Sequence, residues 1–339
     1  MTGRGRVDVH HHLVPPAYKQ WLRSRGSTAG GLAIPSWSVR SAVEVMDAHE
    51  IATAILSIST PGVDFEDPAE TRAQARMVNE YAAEVSRAHP TRFGFFATLT
   101  LPDVEGALEE ARYAFDELGA DGVVLMTNAQ GRYLGEPEFK PLFKELNRRG
   151  AVVFVHPSEL PLAPVPGLAP YLIDFLLETT RSALSMARGG ILDLKNLKII
   201  LSHAGGFLPY AAYRVAPFAR ASPLGIELPA GMEWVPSFRA VDLLRRYYFE
   251  VALSASPSAL PSLLAFAAPG HVLFGSDFPY APEGLGDAFT GMLDAYQLPD
   301  DVRHSIDRGA AETLFPRLAT RTVAVAPPPR QRRPHWWSG

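Results

Sequence analysis

The sequence predicts an α/β fold, a (β/α)8 TIM barrel, on three observations. Eight apolar runs of strand length alternate with helical patterns between about Val7 and Phe315. Several of these runs are nearly continuous, as parallel strands covered on both faces require. Polar residues with metal-binding side chains stand where the first, fifth, sixth and last runs end. A closed barrel brings those ends to one mouth. A doubly wound open sheet, the runner-up, would not naturally join its first strand end to its last.

The elements follow in order. Arg6–Val14 reads as the first strand, with His10 and His12 on one face and His11 on the other. A short helix-like piece spans 18–23, and the Gly- and Ser-rich stretch 24–37 reads as a loop. A helix over 38–50 places Val39, Ala42, Val43 and Met46 on one side. Residues 52–59 form the second strand, stopped by Pro61-Gly62 before a long helix over 68–88. Strand 92–100 precedes a helix over 103–118 with Asp103 placed as its N-cap. Strand 122–127 and helix 137–149 follow, and Gly150 ends the helix before strand 151–156. A Pro-rich loop over 161–170 leads to helix 171–188 and strand 197–202. The helix over 207–220 carries Pro209 in its first turn, where a missing N–H is harmless. Strand 247–253, helix 256–267, strand 271–277 and helices near 287–296 and 301–314 complete the barrel. We assign 1–320 to one barrel domain and 321–339, rich in Pro and Arg, to a disordered tail.

Composition narrows the chemistry. The 339-residue chain is 47% hydrophobic and 20% charged, values of a globular protein. A net charge of -4 offers no broad basic surface for nucleic acid. With no cysteine, a metal must be held by His, Asp or Glu. No apolar run is long enough to span a membrane, and a cytoplasmic location is the default expectation.

His156, His203 and Asp277 each end an apolar strand, so they should meet His10 and His12 in one bowl. Any one of them alone could be an ordinary polar group at a strand end; five at equivalent positions argue for a site. Neutral imidazole suits zinc and its first-row neighbours. His49, His89, His271, His304 and His335 lie in helices, at a strand start or in the tail, and read as structural or exposed.

Asp8-x-His10-x-His12, His156-Pro157, Ser202-His203-Ala204-Gly205-Gly206 and Gly275-Ser276-Asp277-Phe278-Pro279 together resemble the amidohydrolase superfamily. The chain is most similar to its aminocarboxymuconate-semialdehyde decarboxylase-like group. Pro15-Pro16-Ala17-Tyr18, Phe93–Leu99 and Glu178-Thr179-Thr180-Arg181 point within that group to the 6-methylsalicylate decarboxylases. The resemblance implies one divalent ion, zinc or else manganese, on His10, His12, His156 and Asp277, with His203 as acid/base beside a metal-bound water. Thr127 stands where binuclear branches carry a bridging lysine, so a mononuclear site is expected. The resemblance also implies a homodimer in which Arg214 reaches the partner's carboxylate substrate. Phe207, Leu208, Tyr210, Tyr213 and Phe218 crowd that same helix with more apolar surface than one barrel-facing stripe needs. The group's second substrate arginine has no counterpart in Ala29–Ile34, which favours a smaller, more apolar acid. Phe278 and Tyr280 stand near the mouth as candidates to stack on a ring.

The expected function is non-oxidative decarboxylation of a hydroxybenzoate-like small-molecule carboxylic acid. Hydrolysis of a lactone or amide is the alternative, with Asp277 or His203 passing the proton. A non-catalytic metal-binding barrel comes third, since it leaves His203 unexplained.

Overall fold

Eight parallel strands form one sheet in the order of the chain, in a computed structural model that describes residues 4–64, 67–219, 240–281 and 284–319. They are β1 (Arg6–His12), β2 (Ile51–Ser57), β3 (Phe93–Thr98), β4 (Gly122–Met126), β5 (Val152–His156), β6 (Lys198–Leu201), β7 (Tyr248–Glu250) and β8 (Val272–Leu273). The sheet closes on itself. Val9 N–H donates to Phe274 O at 3.1 Å, Asp277 N–H to His10 O at 2.8 Å and His12 N–H to Phe278 O at 2.6 Å. This seam sets the chain after β8 directly beside the histidines of β1.

Val7, Val9, Ile55, Phe96, Val124, Phe154, Ile200 and Leu273 fill the barrel interior, and Ala310, Ala311, Leu314, Phe315 and Leu318 pack against them. The last helical turns therefore plug one end of the barrel and leave the other for the site. The larger core lies between strands and helices, including Leu56, Phe95, Leu125, Val153 and Leu201. These residues alternate with the interior set, as the period of two demands.

Helix caps follow the sequence closely. Ser38 caps Val39–Ala48 through a reciprocal pair with Ser41, and Asp103 accepts from Gly106 N–H at 3.0 Å. The helix over 103–118 is regular only over Val104–Tyr113 and ends in a π-type turn at Ala114–Leu118. A short hairpin (Asn128–Ala129 with Arg132–Tyr133) and a helix at Ala240–Leu244 were not foreseen. The tail over 321–339, with His335, lies outside the described residues. Among the described residues, no helix is long and apolar enough to cross a membrane.

Candidate metal centre and active site

β1 departs from strict alternation, its pairing with β2 shifting register between Asp8 and His11, so that His10 and His12 turn into the barrel mouth above the inward Val7 and Val9, with their Nε2 atoms 2.9 Å apart. His156 ends β5, and His203 and Asp277 follow β6 and β8. The ligating atoms of His10, His12, His156 and Asp277 all lie within 4.8 Å of one another, and all four residues are buried. Asp277 Oδ1 is 3.3 Å from His10 Nε2 and 3.2 Å from His12 Nε2, and its Oδ2 is 3.5 Å from His203 Nε2.

The second nitrogen of each ring sets its orientation. His10 Nδ1 meets Glu250 Oε1 at 2.9 Å, His12 Nδ1 meets Ser57 O at 3.2 Å and His156 Nδ1 meets Pro157 O at 2.8 Å. All three partners are acceptors, so each Nδ1 carries the proton and each Nε2 lone pair faces the common centre. Lone pairs converging at 2.9 Å repel unless a positive charge lies between them. Three imidazoles and one carboxylate therefore fit a single divalent ion.

The electrostatics agree. Burial opposes an imidazolium at His10, but Glu250 and Asp277 outweigh it and push the group up to about 10. The centre is thus built to hold positive charge, from a proton or a metal ion competing with it. Burial lowers His12 and, with the neighbouring histidines, holds His156 well below its ordinary value. Both are then neutral, the form that ligates. Burial alone would raise Asp277, yet His10, His12 and His203 keep it well below the usual carboxylate range.

Neighbouring groups hold this geometry. Asp8 Oδ1 accepts from the backbone N–H of His10 at 3.0 Å and of Ser276 at 3.1 Å. Its Oδ2 accepts from Ser276 Oγ at 2.6 Å and His11 Nδ1 at 2.9 Å. His11 is thus buried outside the metal set, bonded to Asp8, which in turn bonds across the seam to Ser276. A Cβ on Gly275 would lie 2.2 Å from Glu250 Oε2 and 2.9 Å from His10 Cβ, so only glycine passes there. Four residues other than glycine around the mouth hold left-handed backbone: His203 (φ 52°), Ala204 (φ 57°), Leu253 (φ 49°) and Asp277 (φ 59°). Such strain concentrates at functional sites.

A cavity of about 190 Å³ opens onto His156, His203 and Asp277. Phe175, Leu176, Leu253 and Phe289 supply apolar wall, and no arginine or lysine is among its described lining residues. Tyr280 lines it and sets its ring edge on His12, 5.2 Å between centroids. Phe278 requires a correction: its ring packs on His11 at 4.9 Å and does not line the cavity. Next to inward-facing Asp277, it is sent to the opposite side. Arg214 is exposed on the helix Leu208–Ala219 and lies outside the cavity lining. Thr127 Oγ1 bonds to buried Glu178 at 3.0 Å. The sequence reading passes over Glu250; its signal is a lone carboxylate inside the apolar run Tyr247–Leu253.

A barrel with a His-x-His pair on its first strand, histidines at the ends of its fifth and sixth and an aspartate after its eighth gathers a buried His/Asp set that can hold a divalent metal ion. The amidohydrolase family model matches residues 7–317, and the chain belongs to that family. It is 41% identical over 324 residues to 6-methylsalicylic acid decarboxylase of Penicillium expansum, covering 92% of this chain and 97% of that protein. A crystal structure described as amidohydrolase II superimposes with a TM-score of 0.81 at 29% identity, covering 92% of this chain and 99% of the other. The dihydroxybenzoic acid decarboxylase of Polaromonas sp. JS666, solved with manganese and 2-nitroresorcinol, shares the fold at a TM-score of 0.74 and 24% identity. That match covers 92% of this chain and 97% of the other.

Proposed function

We propose that this chain is a carboxy-lyase, a metal-dependent non-oxidative decarboxylase of a hydroxybenzoate-like acid of the 6-methylsalicylate kind. One observation carries the reading. The buried His/Asp centre opens with His203 into a small apolar cavity whose described lining holds no fixed cation. A flat, singly charged acid suits such walls, and its carboxylate charge must be met at the metal centre. The 41% identity to a 6-methylsalicylic acid decarboxylase favours this over the lactone or amide hydrolase.

His10, His12, His156 and Asp277 would hold the ion, which when bound supplies positive charge to fix and neutralise substrate oxygens. The chain's own residues do the rest. Apolar walls exclude water and hold the ring. His203 Nε2, poised 3.5 Å from Asp277 Oδ2, delivers its proton to the ring carbon that bears the carboxylate. The bond to the carboxylate then breaks, its electron pair restores the aromatic ring, and carbon dioxide leaves. His203 regains a proton from solvent.

Zinc is the proposed ion, supported by the three imidazoles, and manganese is the alternative. The proposal extends to one barrel domain over 1–320, a cytoplasmic location read from the sequence alone, and a homodimer in which Arg214 serves the partner's site. Tyr210 and Tyr213 on the same helix are 90% and 61% exposed, which supports a surface available for pairing. The metal-loaded protein should release carbon dioxide from 6-methylsalicylate and leave lactones and amides intact. Hydrolysis products without carbon dioxide would overturn the assignment.

A further inference from the structure

The cavity beside His203 is bounded by a clamp between two segments distant in sequence. Ala29 and Leu32 exchange backbone hydrogen bonds of 2.8 and 3.0 Å, and Gly30 and Gly31 turn the chain between them at φ of +58° and +93°. Gly30 sits against the Phe175 ring so closely that a Cβ there would lie 2.3 Å from Cζ and 2.8 Å from Cε1. Phe175 belongs to the helix Pro170–Arg188. Three residues on, buried Glu178 accepts hydrogen bonds from Thr127 Oγ1 at 3.0 Å, Asn128 Nδ2 at 2.6 Å and the Tyr133 hydroxyl at 2.5 Å. Those bonds pin the helix to the chain leaving β4. Ala29, Leu32 and Phe175 all line the cavity, while Gly30 does not line it and backs the ring. The ring lies 6.5 Å from that of His156. With the helix pinned and Gly30 pressed against it, the ring has no room to retreat from an oversized ligand.

We infer that Phe175, backed by Gly30, is the specificity-determining wall that restricts the site to single-ring acids. A protein cavity of roughly 150 Å³ accepts one benzene ring. The 190 Å³ here is of that scale, and the backed Phe175 ring closes the side next to His156 against a second fused ring. This inference rests on the proposed decarboxylase reading and names its substrate class.

The test compares salicylate, 6-methylsalicylate and 3-hydroxy-2-naphthoate on the metal-loaded wild type, Phe175→Ala, Phe175→Leu and Gly30→Ala. The wild type should strongly prefer the single-ring acids. Phe175→Ala should raise kcat/KM for the naphthoate relative to salicylate by about tenfold or more, the scale of pocket-shape discrimination. Phe175→Leu should do so less, at unchanged metal content, and serves if the alanine variant does not fold. Gly30→Ala crowds the ring and should disfavour 6-methylsalicylate against salicylate. Its drop in thermal midpoint should shrink in the Phe175→Ala background, because the clashing partner is gone. An unchanged naphthoate preference in both Phe175 variants, or strictly additive midpoints, would overturn the wall. If the wild type decarboxylates none of the acids, the functional reading fails on its own. Calorimetric binding of the same acids then decides the wall: naphthoate binding gained only in the Phe175 variants upholds it, and size-blind binding or none overturns it.

Discussion

Arg6 and His10 stand four residues apart on one strand, both buried beside carboxylates, and their surroundings differ in kind. At the plugged end, Arg6 Nε meets Asp307 Oδ1 at 3.0 Å, Nη1 meets His49 O at 3.0 Å, and Nη2 pairs with Asp294. The Phe274 ring covers the guanidinium at 4.8 Å. Each guanidinium nitrogen has a partner. At the open end, Asp277 Oδ1 and His203 Nδ1 are buried with no hydrogen bond among the described residues. Four residues there hold left-handed backbone. Buried polar groups are normally satisfied, and exceptions ask for a reason. The plugged end satisfies its charges and stabilises the barrel. The open end leaves donors, acceptors and backbone strain in reserve for a ligand, as expected of the catalytic face of this fold.

That contrast breaks most visibly at Asp277. Asp277→Ala should abolish both bound metal and turnover while leaving a folded barrel, as elemental analysis and circular dichroism would report. His11→Ala is the control, because His11 bonds to Asp8 and not to the centre, and it should keep its metal. Equal metal loss from both variants would erase the distinction between the two faces of β1.

His203 comes next. His203→Asn should retain metal and stability but lose about a hundredfold or more in kcat, the scale of one acid/base group. Near wild-type turnover would remove His203 from the chemistry and make its strained backbone a merely structural feature.

The plugged end should respond in the opposite currency. Arg6→Ala removes the 3.0 Å partner of buried Asp307 and leaves Arg4, 3.4 Å away, as its remaining ion pair among the described residues. Breaking a buried pair costs about 3 kcal/mol at the lower end of its range, so denaturant melts should show that loss of stability. Metal content and kcat per folded molecule should stay unchanged. Lost metal affinity at unchanged stability would mean that the two ends of β1 are not separable.

Both ends differ in how far the sequence exposes them. The barrel is legible because parallel strands read as apolar runs and because Gly and Pro punctuate them. The metal set is legible because polar residues interrupt those runs at their ends. The strand runs over 247–253 and 271–277 were read too long: the ladder covers only Tyr248–Glu250 and Val272–Leu273. Beyond those points the chain leaves the ladder to carry Leu253 and Asp277 into the mouth at positive φ, which a hydrophobic pattern does not encode. The helix Ala240–Leu244 spans five residues, too few to establish a helical period. Glu250 stayed hidden because its partners, His10 and His203, are distant in sequence and only barrel closure brings them together.

Glu250 gives the finest test of the comparison, because it is a well-satisfied charge at the open end that bonds directly to a ring of the His/Asp set. Its Oε1 accepts from His10 Nδ1 at 2.9 Å and from the backbone N–H of His203, and its Oε2 accepts from Ala252 N–H. Gly275 presses on the same oxygen, so the side chain has no alternative position. In Glu250→Gln the amide NH₂ must face either Ala252 N–H or the two donors at Oε1, and both arrangements set donor against donor. The substitution also removes the negative charge that makes His10 a better ligand. Outer partners of this kind are worth about ten- to a hundredfold in metal affinity. Competition with a chelator should register that loss, and saturating metal should recover most of the turnover, because Glu250 acts on the site through His10 and the His203 backbone. Unchanged affinity would place Glu250 with Arg6, as a charge that holds the barrel and does not tune the centre. Turnover lost beyond rescue by metal would mean that it positions His203 more than it orients His10.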